Sequence, residues 1–182
     1  LYKFAKQYSS KGPCLEIGSY CGKSTVYLGA AVKENSQILY SIDHHKGSEE
    51  QQPGQEFFDP DLLDDSGEGI NTLPFFLDTI NKADLKDNVI PIISSSIEAS
   101  EVWNKHLAMV FIDGGHSEKA ANEDYNAWSP HIIKGGLLAI HDVFPNPKDG
   151  GRPPFNIYTK AKKSGMFKEA DMIKSLALLE KL

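Results

Sequence analysis

The sequence predicts an α/β protein built on a doubly wound, mostly parallel sheet, and three observations predict it. Short apolar runs alternate with helical patterns along the 182 residues, which is how a sheet covered by helices on both faces reads. The first strand passes through a glycine-bearing turn, Glu16-Ile17-Gly18 to Gly22-Lys23-Ser24, into the start of a helix. That strand, loop and helix N-terminus is the arrangement that receives the polar end of a nucleotide-like ligand. Finally, the strands end in polar residues: Glu16, Asp43, Ser94 to Ser96, Asp113 and His141-Asp142. Chance would scatter such residues between both ends of the sheet.

The elements follow in order. A helix over about residues 1–10 precedes a strand at 13–17, and a helix at 23–33 carries Val26, Leu28 and Val32 on its inner side. The second strand, Ile38 to Ile42, ends in Asp43. Residues 44–69 are polar, rich in Gly and Pro and without a sustained period; so long a connection inside a compact domain is usually functional or mobile. A helix over 70–82 leads to a third strand, Val89 to Ile93, and a preceding serine caps a short helix from Ile97 to Lys105. Leu107 to Asp113 is the fourth strand and Ser117 to Trp128 its helix, stopped by Pro130. Lys134-Gly135-Gly136 is expected to turn the chain into a fifth strand, Leu137 to His141. After a second Pro/Gly-rich loop at 143–154 come a helix near 155–163 and a closing antiparallel pair, Phe167 to Met172 and Leu176 to Leu179. No repeat or composition break divides the chain, so one domain over 1–182 is expected, with a lid-like insertion at about 44–69.

Composition narrows the function. With 40% hydrophobic and 24% charged residues the chain can bury its own core. A net charge of −6 and the lack of a basic stripe argue against a nucleic-acid partner. No run approaches the ~20 apolar residues of a membrane span. Cys14 and Cys21 read as reduced thiols, so a cytoplasmic location is expected.

The glycine loop admits two nucleotide readings that spacing weighs. Gly22-Lys23-Ser24-Thr25 looks like the second half of a P-loop, with Val110 to Asp113 as its magnesium-binding strand. A P-loop needs four residues between its glycines, whereas Gly18 and Gly22 are separated by three. The dinucleotide pattern fits no better, because position 20 is Tyr. What remains, Glu-x-Gly-x-x-x-Gly, resembles the loop of class I S-adenosylmethionine (SAM) methyltransferases, where a carboxylate suits the cationic end of the cofactor. A P-loop variant and a purely structural turn stay open as alternatives.

The run Glu16 to Ser24 also resembles the cofactor loop of catechol-type O-methyltransferases, down to its Tyr20-Cys21-Gly22 core. Over about residues 12–143 the motif order is similar to the small bacterial methyltransferase family 24. The resemblance implies a Rossmann-like sheet of order 3-2-1-4-5-7-6 with an antiparallel last strand. On the cofactor side the candidates are Glu16, Gly18, Tyr20, Gly22, Ser24, Asp43, His44, Ser95, Ser96 and Asp113. Asp43 stands 25 residues after Gly18, which suits a carboxylate bonding two ribose hydroxyls. His44 would flank the adenine, and Ser95 and Ser96 match the family position along its edge, although hydroxyls before a helix also serve as caps.

A second constellation joins strands four and five. If these are neighbours, Asp113, His141 and Asp142 converge, and two carboxylates so close call for a shared cation or proton. A divalent metal such as Mg²⁺ or Mn²⁺ is the simple solution. In the catechol-type enzymes the matching positions are Asp on strand four and Asp-Asn after strand five, so His141-Asp142 is a departure that bears on which metal is preferred. His116, three residues after Asp113, stands where those enzymes place a catalytic Lys, and with Asp113 it is the catalytic candidate; a His there could take a hydroxyl proton near neutral pH. A helix-start role for His116 and a metal-free role for Asp113 are the competing readings.

The sequence thus points to SAM-dependent, metal-assisted O-methylation of a small molecule, with no nucleic-acid or membrane partner and with a homo-oligomer as a further expectation. The 44–69 segment and the 143–154 loop, with Phe144 and Arg152, would shape the acceptor pocket. Only about twelve residues precede the first strand, which makes a catechol a poorer acceptor than a sugar or secondary-metabolite hydroxyl. The rivals are a P-loop-like ATP-binding protein, a non-catalytic SAM-binding protein and, more distantly, a metal hydrolase.

Overall fold

The computed structural model describes residues 1–182. In chain order the elements are α1 (Tyr2–Ser9), β1 (Cys14–Ile17), α2 (Lys23–Glu34), β2 (Leu39–Ile42), α3 (Leu73–Lys82), β3 (Val89–Ile92), α4 (Ser96–Glu101), β4 (Leu107–Ile112), α5 (Glu118–Trp128), β5 (Ile132–Ile140), α6 (Pro153–Lys163), β6 (Phe167–Ile173) and β7 (Leu176–Lys181). They form a seven-stranded sheet of order β3-β2-β1-β4-β5-β7-β6. The first five strands are parallel, and β7 pairs antiparallel with both β5 and β6. Order and strand sense are those the resemblance implies.

Side-chain alternation explains why the central strands are apolar throughout. Leu15, Ile17, Val110, Ile112, Leu138 and Ile140 pack into one core with Tyr125 and Trp128 of α5. Cys14, Met109, Phe111, Leu137 and Ala139 pack into the other, against Leu28 and Val32 of α2 and Phe76 of α3. A parallel sheet buried on both faces needs such uninterrupted strands. Glu16 is the polar residue of β1, and its register partner on β2 is Ser41.

Two local readings change. The expected turn at Lys134-Gly135-Gly136 lies inside β5, which begins at Ile132. Leu107 pairs with Ile132 and Met109 with Leu137, so the three residues are looped out as a bulge, with Gly135 at φ +69°. The long connection after β2 has local order of its own. It contains 3-10 turns at Glu49–Gln51 and Pro60–Leu62 and a bridge between Leu63 and Ile70. Its two ends meet at one point, where the His45 carbonyl accepts the Thr72 N–H at 3.1 Å and His45 Nδ1 lies 2.8 Å from Thr72 Oγ1.

Candidate active site

The carboxyl ends of β1, β2, β4 and β5 open on one large cavity, which residues 47–51 and 55–60 of the long connection also line. Its wall includes Gly18, Ser19, Tyr20, Ser24, Asp43 and His44 near β1 and β2. Ser94 to Ile97 follow β3, and Asp113, Gly114, His116, His141 and Asp142 follow β4 and β5. Most of the candidate residues are therefore brought together.

Two of them stand off the wall. Glu16 is wholly buried beneath the loop. Its Oε1 accepts the Ser24 hydroxyl, and its Oε2 accepts the hydroxyls of Thr25 at 2.6 Å and Ser41 at 2.8 Å. Burial lifts its pKa to about 7 against these hydrogen bonds. The carboxylate expected to face a cationic ligand instead ties β1 to β2 and to the first turn of α2, because its side of the strand faces the helix. With Ser24 and Thr25 committed to Glu16, neither hydroxyl is free to hold the metal of a phosphate ligand, as a P-loop would require. Gly22 likewise turns away from the cavity; a Cβ there would lie 3.0 Å from Thr79 of α3.

Gly18 is required by its neighbours. It has φ +85°, and a Cβ would lie 2.2 Å from the Asp113 carbonyl oxygen, so the ends of β1 and β4 can approach only over glycine. Tyr20, at φ +49°, donates its N–H to Asp43 Oδ2 at 2.8 Å, and the His45 N–H donates to Oδ1 at 2.7 Å. Asp43 is thereby fixed by backbone groups while keeping a lone pair on each oxygen. His44 is exposed beside it. The missed residue here is His45, buried and lodged against Phe76, with burial holding its pKa down. Ser95 is the cap of α4 in a capping box with Glu98, the alternative the sequence left open, and Ser96 Oγ accepts the Trp128 Nε1–H at 2.8 Å.

At the other end, Asp113, His141 and Asp142 present ligand atoms all within 4.8 Å of one another. His141 Nδ1 lies 2.9 Å from Asp113 Oδ1 and 3.3 Å from Asp142 Oδ1, yet its ring is turned so that no aligned hydrogen bond forms. Asp113 and then Asp142 raise the His141 pKa to about 10, and His141 in turn holds Asp142 below the usual carboxylate range. Asp142 adopts φ +52°, a left-handed conformation that costs a residue with a Cβ roughly 1 kcal/mol or more. His116 stands between two carboxylates, 3.5 Å from Glu50 and 3.5 Å from Asp142. Glu50 belongs to the segment expected to shape the pocket, but nothing local in the sequence links it to His116 at the β4 end.

Of the second loop, Phe144 reaches the cavity, but Arg152 does not. It donates to the Phe144 carbonyl at 2.8 Å and its guanidinium stacks 3.9 Å from the Phe155 ring centre. It is thus committed to holding the loop. Both cysteines are free thiols, and no helix is long and apolar enough to cross a membrane.

A family model described as a methyltransferase domain matches residues 15–143. Among solved structures, the fold is similar to that of the O-methyltransferase NovP, with a TM-score of 0.72 and 12% identity over 99% of this chain and 78% of that one. The calicheamicin methyltransferase CalS11 gives 0.68 and 11% over 98% and 76%. The SAH-bound Podospora anserina methyltransferase PaMTH1 gives 0.67 and 11% over 100% and 77%. At such identities the likeness is one of fold.

Proposed function

This chain belongs to the class I SAM-dependent methyltransferase family, and from that premise we propose that it methylates a hydroxyl of a small molecule with the help of a divalent metal. The observation that carries the reading is the convergence of Asp113, His141 and Asp142 on one point of the cavity wall. His141 Nδ1, buried between two carboxylates without an aligned hydrogen bond, supports it, because a divalent ion there would replace the ring proton that the carboxylates otherwise hold. Asp113, His141 and Asp142 would hold Mg²⁺ or Mn²⁺, and the mixed nitrogen and oxygen set suits the latter at least as well. A bound divalent ion supplies Lewis-acid chemistry that lowers the pKa of an acceptor hydroxyl.

The chain's own residues do the rest. Asp43 accepts the ribose hydroxyls through the two lone pairs left free by Tyr20 and His45, and the Gly18 to Ser24 loop holds the methionine end. Ser95 and Ser96 border the base, and His44 covers it from the solvent side. His116 takes the acceptor proton on a ring nitrogen while Glu50 and Asp142 flank the ring. Transfer from a sulfonium is an in-line displacement, so alignment and exclusion of water dominate the rate. The 44–69 segment serves as the lid that excludes it.

Residues 48–72 contain eight acidic side chains and neither Lys nor Arg. Four of the acids, Glu49, Glu50, Glu56 and Asp59, line the cavity. This acidic side of the cavity suits a neutral or cationic acceptor; the lysines that line the cavity, Lys23 and Lys174, lie outside the segment.

Calorimetric titration with SAM, and separately with Mn²⁺, tests the reading in wild type and Asp142→Ala. SAM is expected to bind both proteins alike, and Mn²⁺ to bind the variant at least about 100-fold more weakly. Wild type that binds SAM but no divalent ion, or methyl transfer unaffected by chelator, would remove the metal from the mechanism.

A further inference from the structure

The inner stripe of α5 consists of Ala121, Asp124, Tyr125 and Trp128, all buried. An acid on an apolar stripe destabilises the fold unless something partners it. Asp124 is only 5% exposed, and burial lifts its pKa to about 6. The Ser96 hydroxyl lies beside it and lowers its pKa against burial. Ser96 Oγ accepts the Trp128 Nε1–H, so the serine's own proton is free to turn towards the carboxylate. A carboxylate has about four acceptor positions, and this hydroxyl can fill no more than one.

The remaining positions face the cavity, whose wall includes Asp124, Ser96 and Gly114. Gly114 makes that possible, since a Cβ there would lie 2.8 Å from Asp124 Oδ2. A side chain at 114 would collide with the carboxylate. Asp124 therefore lies on the cavity wall beside Ser96 at the start of α4, the part of the wall to which the proposed function assigns the base.

We propose that Asp124 recognises the base of the cofactor: its carboxylate, oriented by Ser96, accepts an N–H of the exocyclic adenine amino group. The proposal rests on the SAM reading above and adds to it the residue that makes the site adenine-specific. Hypoxanthine carries a carbonyl oxygen where adenine carries the amino group. It would set acceptor against acceptor, with both left unpaired in a buried place.

The test is calorimetric titration of wild type and Asp124→Asn with S-adenosylhomocysteine and with S-inosylhomocysteine. Wild type is expected to prefer the adenine ligand by at least about tenfold. In Asp124→Asn, whose amide can donate to the hypoxanthine carbonyl, the preference should fall to within about threefold as adenine-ligand affinity drops. General damage to the fold weakens both ligands together, so the ratio isolates the base contact. No preference in wild type, or the same preference in both proteins, overturns the proposal and leaves the methyltransferase reading intact. A wild type that binds neither ligand strikes the SAM reading itself and this proposal with it.

Discussion

The two ends of the cavity are built on opposite principles. At the β1 and β2 end, the acids are held within the protein: Glu16 takes three hydroxyls and Asp43 takes two backbone N–H groups, Ser95 is locked in a capping box, and only the Ser19 hydroxyl and His45 Nε2 are buried there without a partner. At the β4 and β5 end the polar groups are gathered but not satisfied. His141 Nδ1 has no aligned partner, and His116 stands 3.5 Å from each of two carboxylates. The first end is preorganised for one fixed ligand, and its hydrogen bonds rigidify the loop before anything binds. The second end keeps its valences for a cation and an acceptor, and without a metal the His141 imidazolium is what offsets its carboxylates. The difference teaches where the fold spends rigidity and where it leaves chemistry open.

The harshest way to break the comparison is at its hinge. Gly18→Ala forces a Cβ to 2.2 Å from the Asp113 carbonyl oxygen at φ +85°, and it should cost about 3 kcal/mol or more of stability. Urea denaturation would show it; a variant within 1 kcal/mol of wild type (roughly the size of an ordinary substitution) would mean that the ends of β1 and β4 are not held against each other.

A smaller effect sharpens the satisfied end. Asp43→Ala should weaken SAM binding by on the order of 100-fold, from two charge-assisted hydrogen bonds, while divalent-metal affinity stays unchanged. Equal SAM affinity in calorimetry would refute the ribose assignment.

A third prediction separates the two ends by pH. Glu16 and His141 both have pKa values raised by folding, to about 7 and about 10. Each therefore contributes stability that is complete below its unfolded pKa and is lost as pH rises through the folded one. For Glu16 the window runs from about 4.5 to about 7, and for His141 from about 6.5 to about 10. Urea midpoints of the metal-free protein should fall through both windows. Replacing His141 with Gln should flatten only the upper one, and an unaltered slope there would show that His141 gains nothing from Asp113 and Asp142.

The sequence by itself determined the sheet and its polar edge. Alternating apolar runs can be buried only as strands with helices on both faces, and the spacing from Gly18 to Asp43 carries the β1-loop-α2-β2 unit because those contacts are local. The meeting of Asp113, His141 and Asp142 followed only on the condition that strands four and five are neighbours, the order that the family resemblance supplied and the sheet carries. The tertiary structure alone decided which way Glu16 faces, because one strand position can serve a cavity or a helix equally well until the helix is docked. It alone brought Glu50 to His116 across the long connection. The role of Asp124 on the α5 stripe likewise depended on Ser96 and Gly114, which only the tertiary packing brings beside it.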